Sequence, residues 1–433
     1  MEKGFDIGQA MNEANRCLLC HDAPCSKNCP AGTDPAKFIK KLRFKNITGA
    51  IRTVKTNNIL GGACGVLCPT ARLCEKECVS KGLDKPIQIG RIQRALIEHS
   101  WKINFSPLKK GEPNGKKVAV IGAGPAGLAC SAQLAKDGFE VAVFDEHASA
   151  GGVLGFGVPN HRFDNKFLER ELEDLKGLGV RFKFNTPVKT KDAFSDLKKD
   201  GYNAVFVGVG LWNATSLKKG AALEGLFTSV DFLEASKSDD KKVKDVVKGR
   251  RVAVIGGGSV AIDCAESCLE LGASDVYLVY RRAFQQMPAE LDERVSAQMS
   301  GVQFLLLNQP LDYISKAGRI AGVRLVRTEL GPVDATGRRS PVEVKNSEWT
   351  LSADVVIEAI GNEPDAMVKE AIPAKFTGRG LLNVSDETLE TSMKGVFAGG
   401  DIARGPALIV NAIADGKKAA AEIKKFVNGG GSL

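Results

Sequence analysis

The pattern that most constrains this chain's fold occurs twice. A short apolar, β-branched run leads at once into a glycine-rich turn and then an apolar helical stretch. The first copy is Lys117-Val-Ala-Val-Ile121 followed by Gly122-Ala-Gly124-Pro-Ala126-Gly127. The second is Arg251-Val-Ala-Val-Ile255 followed by Gly256-Gly-Gly258-Ser259-Val-Ala261. Each is the opening of a βαβ unit, whose crossover is right-handed. Second strands are expected at Glu140 to Phe144 and at Val276 to Val279. Further strands, Ala204 to Val209 and Asp354 to Ala359, end in Gly210 and Gly361. The chain is therefore read as α/β with two parallel sheets, and 433 residues suffice for two or three domains with ordinary cores.

A glycine fingerprint between strand and helix has a physical purpose. The glycines permit a tight turn, close approach of a pyrophosphate, and close helix–strand packing, while the helix N-terminus faces the phosphates. Both domains are thus expected to be Rossmann-like. After the first fingerprint, Asp145 ends the next strand where an acid can bind a ribose hydroxyl. Ala150-Gly151-Gly152 follows, as it does in FAD-binding flavoproteins. In the second, Ala261 replaces the third glycine, and the next strand ends at Tyr280 with Arg281 and Arg282 instead of an acid. Arginine there pairs with a ribose 2′-phosphate, which favours NADP(H) over NAD(H). Near the C-terminus, Val396-Phe-Ala-Gly-Gly400-Asp401 resembles the motif that closes the flavin site in two-dinucleotide flavoproteins. There the Asp binds the ribityl or phosphate region, and the next helix points its N-terminus at the flavin. Here that helix is expected to begin near Leu408 and Ile409 and to run through Asp415-Gly416. The expected organisation is an FAD domain in two segments, 115–228 and 364–428, with an NAD(P) domain inserted at 229–363. Hydride transfer then requires the two domains to face each other.

Ahead of these lies a segment of a different kind. Eight of the 11 cysteines fall between Cys17 and Cys78, in two runs: Cys17-x2-Cys20-x4-Cys25-x3-Cys29-Pro30 and Cys64-x3-Cys68-Pro69-x4-Cys74-x3-Cys78. Met1-Glu2-Lys3-Gly4 leads into polar sequence, not an export signal, so the cluster reads as metal binding before disulfides. Four thiolates hold a cubane cluster; tetrahedral zinc is the rival. Beside a flavin, redox-inert zinc carries no electrons, which favours two [4Fe–4S] clusters. Residues 1–110 are expected to form a helical iron–sulfur domain, joined on by a Pro/Gly/Lys-rich linker at Pro107 to Lys116. The net charge is +9, yet no Lys/Arg block interleaved with aromatics points to nucleic acid. No apolar run approaches the roughly 20 residues of a membrane helix. A cytoplasmic location is expected.

The sequence Arg16-Cys17-Leu-Leu-Cys20-His-Asp-Ala-Pro-Cys25 to Cys29-Pro30, then Cys64 to Cys78, then Ile87-Gln-Ile-Gly90-Arg-Ile-Gln93, resembles the N-terminal half of dihydropyrimidine dehydrogenase. In bacteria that half is a separate FAD subunit. The wider family includes the small subunit of glutamate synthase. The resemblance runs from about residue 8 to 425. It implies that Cys17, Cys20, Cys25 and Cys78 hold one cluster, and that Cys29, Cys68, Cys74 and Gln93 hold the other, with Cys64 a bystander. The stretch from Cys78 to Gln93 is one residue shorter than in the family. It also implies that Arg162 contacts FAD. A further basic residue that the family's NADP site carries before Pro288 is absent here. By the same resemblance the chain oxidises NAD(P)H and needs a partner, an FMN-containing subunit that reduces uracil or thymine, in a heterotetramer. A glutamate synthase small subunit is the alternative, and a redox-sensing flavin/cluster module is the non-enzymatic one. Cys130, Cys264 and Cys268 lie on expected helices and read as small core residues, not a redox pair.

Overall fold

The computed structural model describes residues 3–188, 190, 192–217, 223–333 and 337–433. They divide into two compact units. One comprises Met1–Gly155, Asn160–Leu211 and Pro364–Leu433; the other comprises Phe156–Pro159 and Trp212–Glu363.

The first unit is built on a five-stranded parallel sheet, in the order Val396–Ala398, Ala204–Val207, Lys117–Ile121, Glu140–Phe144, Arg181–Lys183. Lys117–Ile121 is central, with Val118 opposite both Val141 and Ala204. Its last four residues are buried, as expected for a parallel strand covered on both faces. The fingerprint helix Pro125–Lys136 packs against the long helix Ile409–Asn428. They cross at Gly416, where an added Cβ would lie 2.1 Å from the Ala126 carbonyl oxygen. Nothing larger than hydrogen fits that crossing.

The cysteine-dense segment belongs to this same unit and does not separate as a body of its own. It contains the helices Ile7–Asn15, Pro24–Lys27, Pro35–Arg43, Ile47–Asn57, Gly61–Leu67 and Ile89–Lys102. Except for Gly61–Leu67, these helices contribute to or pack on a core that includes Phe38, Ile51, Leu96 and the thiol-bearing Cys74 and Cys78. Two buried polar contacts fasten it to the helix Asn165–Gly177. Lys55 meets Asp174 at 2.7 Å, and Glu171 receives the backbone N–H groups of Gly62 and Ala63.

The second unit repeats the parallel sheet, in the order Leu226–Thr228, Val355–Glu358, Arg251–Ile255, Asp275–Tyr280, Gln303–Leu306. Leu226–Thr228, which the sequence reading puts at the end of the first flavin segment, is an edge strand of this sheet, paired with Val356 to Glu358. On one face lies the helix Ser259–Glu270, whose Cys264 and Cys268 are fully buried in the core. On the other lies an antiparallel sheet of Asn308–Lys316, Arg319–Val333, Arg339–Glu343 and Trp349–Ser352. Its Tyr313, Val323 and Leu325 pack on Ala253, Val279 and Val356. Among the described residues, no helix is long and apolar enough to cross a membrane.

Candidate functional site

In the first unit three backbone loops meet at the carboxyl end of the central strands. Gly122 turns the chain at φ +99° directly after Ile121. A Cβ on Gly127 would lie 1.9 Å from the Gly122 carbonyl oxygen, so the helix could not approach the strand with any side chain there. The second loop lies on the first: a Cβ on Gly152 would come within 2.8 Å of Gly124 Cα, and Gly151 N–H donates to Ala123 O at 2.8 Å. The third loop is Gly399–Gly400, where a Cβ on Gly400 would meet Ala126 Cβ at 3.1 Å. Gly122, Gly124, Ala126, Gly127, Gly152 and Gly400 are thus gathered in one place. Gly124 itself has no atom closer than 3.9 Å to a would-be Cβ, which leaves its backbone open to a ligand. Such a side-chain-free cradle fits the pyrophosphate of FAD.

Charged groups surround this cradle. Asp145, just beyond Phe144, accepts from Ala123 N–H at 2.6 Å and from His147 N–H at 2.9 Å, so its carboxylate ties the fingerprint turn to the end of the second strand. Asp401 opens the one-turn helix Asp401–Arg404, and burial pushes its carboxyl up to about 6. Ile409 opens the long helix after Leu408, and no side chain caps that end. Arg162 is half-buried in the turn before Asn165–Gly177. A residue the sequence reading did not single out holds the third loop. Buried Asp415 accepts from Gly400 N–H at 2.9 Å and from Arg404 Nε at 2.7 Å. Its signal was weak, because an acid inside a helix reads as a solvated face.

In the second unit, Gly256 turns at φ +148°, and an added Cβ would lie 2.3 Å from the Ala359 carbonyl oxygen. Ala261 is fully buried, so its methyl is accommodated where the helix meets the strand. Gly258 has nothing within 4 Å of a would-be Cβ and precedes Ser259, the first residue of the helix. The arginine pair divides. Arg281 is exposed, whereas Arg282 is buried and its Nε donates to the Arg339 carbonyl at 2.7 Å.

The cysteines form two groups. Cys17, Cys20, Cys25 and Cys78 line one cavity of about 410 Å³, although Cys78 lies far along the chain from the other three. They line a cavity and do not meet at a point: among the described residues no three His, Cys, Asp or Glu side chains converge closely enough for a single ion. Leu19 and Ala23, both in left-handed conformation (φ +54° and +44°), bend the Cys17–Cys25 loop around it. Ile87 N–H points at Cys78 Sγ at 3.4 Å. Burial first, then the neighbouring Cys17 and Cys78, push the Cys25 thiol up to about 11. Four thiols crowded in this way are a donor set that a cluster's iron would neutralise.

The second group is Cys29, Cys64, Cys68 and Cys74. The Cys64 thiol is hydrogen-bonded to Cys68, and with burial this raises the Cys68 thiol well above its ordinary value; Cys74 and Cys29 add to it. Cys64 Sγ also accepts from Asn58 Nδ2 at 3.3 Å, and Thr33 N–H lies 3.5 Å from Cys29 Sγ. Gln93 is buried, with Nε2 donating to Gly61 O at 2.6 Å. That bond engages the nitrogen end of the amide and leaves Oε1 as its acceptor end. All eleven cysteines are free thiols, and burial raises Cys130, Cys264 and Cys268, each at 0% exposure, as core positions do.

Comparison with known proteins agrees with this anatomy. Residues 116–416 match the family described as pyridine nucleotide-disulphide oxidoreductase, and residues 1–105 match dihydropyrimidine dehydrogenase domain II, 4Fe-4S cluster. The glutamate synthase [NADPH] small chain of Escherichia coli (strain K12) is 37% identical, over 98% of this chain and 92% of that one. The NAD-dependent dihydropyrimidine dehydrogenase subunit PreT of Salmonella typhimurium is 34% identical, over 98% and 96%. Among solved structures, Mycobacterium tuberculosis FprA in complex with NADPH superposes with a TM-score of 0.61 at 19% identity, over 74% of this chain and 87% of that one. This last likeness is one of fold. The chain belongs to the pyridine nucleotide-disulphide oxidoreductase family, as an NAD(P)H-dependent FAD and iron–sulfur oxidoreductase that serves as an electron-input subunit.

Proposed function

We propose that this chain takes electrons from NADPH and delivers them, through two [4Fe–4S] clusters, to a partner subunit that reduces uracil or thymine. The observation that carries the cluster reading is the cavity that unites Cys17, Cys20 and Cys25 with Cys78. Bound FAD accepts two electrons as hydride and releases them singly, which is what clusters can take. In this reading Gly122 to Gly127, Gly152 and Gly400 bind the FAD pyrophosphate, and Asp145 and Asp401 fix its sugar and ribityl hydroxyls. Arg162 contacts the flavin. Gly256, Gly258, Ser259 and Ala261 receive the nicotinamide dinucleotide, with Arg281 facing its 2′-phosphate. Cys17, Cys20, Cys25 and Cys78 hold one cluster; Cys29, Cys68, Cys74 and the Oε1 end of Gln93 hold the other.

The pyrimidine branch rests on His21-Asp22-Ala23-Pro24 between Cys20 and Cys25, and the relative named as a PreT subunit supports it. The relative named as a glutamate synthase small chain favours a second reading, in which the partner is the larger subunit of that enzyme. Anaerobic stopped-flow with NADPH and NADH separates enzyme from sensor: the flavin bleaches within the mixing experiment, faster with NADPH. Persistent flavin colour with both nucleotides refutes the enzymatic reading. The natural complex, purified through this chain, is then assayed for uracil-dependent NADPH oxidation; activity with glutamine and 2-oxoglutarate instead selects the second reading.

A further inference from the structure

Lys417 lies on the long helix Ile409–Asn428, one residue beyond the crossing at Gly416. That helix belongs to the flavin half, yet it also packs against Gly61–Leu67, the short helix that carries Cys64 and ends at Cys68. The Lys417 ammonium is half-buried and donates to the carbonyl of Ala31, two residues after Cys29. Burial lowers the pKa of this ammonium from the ordinary lysine value, and the thiols of Cys29 and Cys64 act against that shift. Lys136, from the fingerprint helix, stands alongside and donates to Thr56 O at 3.0 Å. A cation beside the second cysteine group therefore comes from the helix Ile409–Asn428, which follows the flavin motif. The cavity group has its own cation, Arg43, which donates to the Cys17 carbonyl.

We infer that Lys417 is a positioning residue for electron transfer: its charge raises the reduction potential of the cluster held by Cys29, Cys68 and Cys74. The inference rests on the ligand reading proposed above. The step concerned is one electron leaving the reduced flavin and entering the oxidised cluster, with no bond made or broken. The electron adds one negative charge to a thiolate-ligated centre. A fixed ammonium in a poorly solvated place stabilises that added charge more than water would. Net charge and nearby donors are among the levers by which a protein sets a cluster's potential. The Ala31 bond keeps the ammonium beside Cys29.

The test compares Lys417→Gln, which keeps a donor for the Ala31 carbonyl but removes the charge, with Lys417→Arg, which keeps the charge. Each protein, with its own flavin and clusters, is titrated electrochemically with EPR detection, and iron per chain is counted. In Lys417→Gln the reduced-to-oxidised ratio of one cluster at fixed potential falls about tenfold, a shift of about 59 mV for a one-electron couple. The other cluster moves less, iron is unchanged, and Lys417→Arg restores the wild-type value. An unchanged potential with both signals present overturns the role of Lys417. Loss of iron in Lys417→Gln overturns it too, since the lysine would then be structural. A wild-type chain with a single cluster signal overturns the ligand reading beneath it, and the inference falls with it.

Discussion

Glu171→Ala probes how the iron–sulfur segment is fastened to the flavin half. The Glu171 carboxyl, 2% exposed, receives Gly62 N–H at 2.6 Å and Ala63 N–H at 2.9 Å. Those donors belong to the first turn of Gly61–Leu67, a helix without a side-chain cap of its own. Truncation strands two buried donors. At about 1–3 kcal/mol each, the loss is about 2–6 kcal/mol. Water admitted to the vacated space moves it toward the lower end. The pH dependence has a definite sign. Burial, opposed by the two N–H groups and Lys55, pushes Glu171 up to about 8 from an ordinary 4.5. A carboxyl whose folded pKa exceeds its unfolded one contributes stability that is complete below the unfolded value and is lost as pH rises through the folded one. Alanine has no such slope. The gap between wild type and Glu171→Ala therefore narrows from about pH 6 to about pH 8, by at most about 2.7 kcal/mol at 1.36 kcal/mol per unit. Urea unfolding followed by circular dichroism at both pH values measures it. A gap under about 1 kcal/mol shows that the donors find other partners. A gap that stays constant between pH 6 and pH 8 shows that the helix end holds an ionised carboxylate, and the burial argument fails.

Two further outcomes follow from the sites. Arg281→Ala raises KM for NADPH about 10- to 100-fold, the loss of one charge-assisted bond of about 1.5–3 kcal/mol, and leaves KM for NADH in place. Arg282→Ala, which breaks a buried bond to Arg339 O, lowers stability instead; equal effects of Arg281→Ala on both nucleotides refute the assignment. Gln93→Ala lowers iron per chain by about one cluster, whereas Cys64→Ala retains both. The reverse result makes Cys64, which already touches Cys68, the fourth ligand.

Much of the fold was legible because parallel strands buried on both faces read as unbroken apolar runs. Lys117–Ile121, Glu140–Phe144 and Arg251–Ile255 have the ends the sequence predicts. The antiparallel sheet was not legible. In Arg319–Val333 the buried positions do not alternate regularly, because register shifts against both neighbours break the period of two. Leu226–Thr228 was assigned to the wrong side of the boundary, since three residues carry too little pattern to say which sheet they join.

The sequence by itself determined the chemistry on offer: two glycine fingerprints in strand–turn–helix context, a flavin-closing motif, and eight cysteines in two runs. Such signals are local, since a turn that must pass a phosphate or a loop that must bear thiolates is written in consecutive residues. The family resemblance already paired Cys78 with the first run; only the tertiary structure decided that Arg282 is spent on Arg339 while Arg281 faces solvent, and that Asp415, Glu171 and Lys417 brace or face groups hundreds of residues away or on another helix. These are single polar side chains on helices. Their partners are chosen by packing, so no spacing along the chain could have announced them.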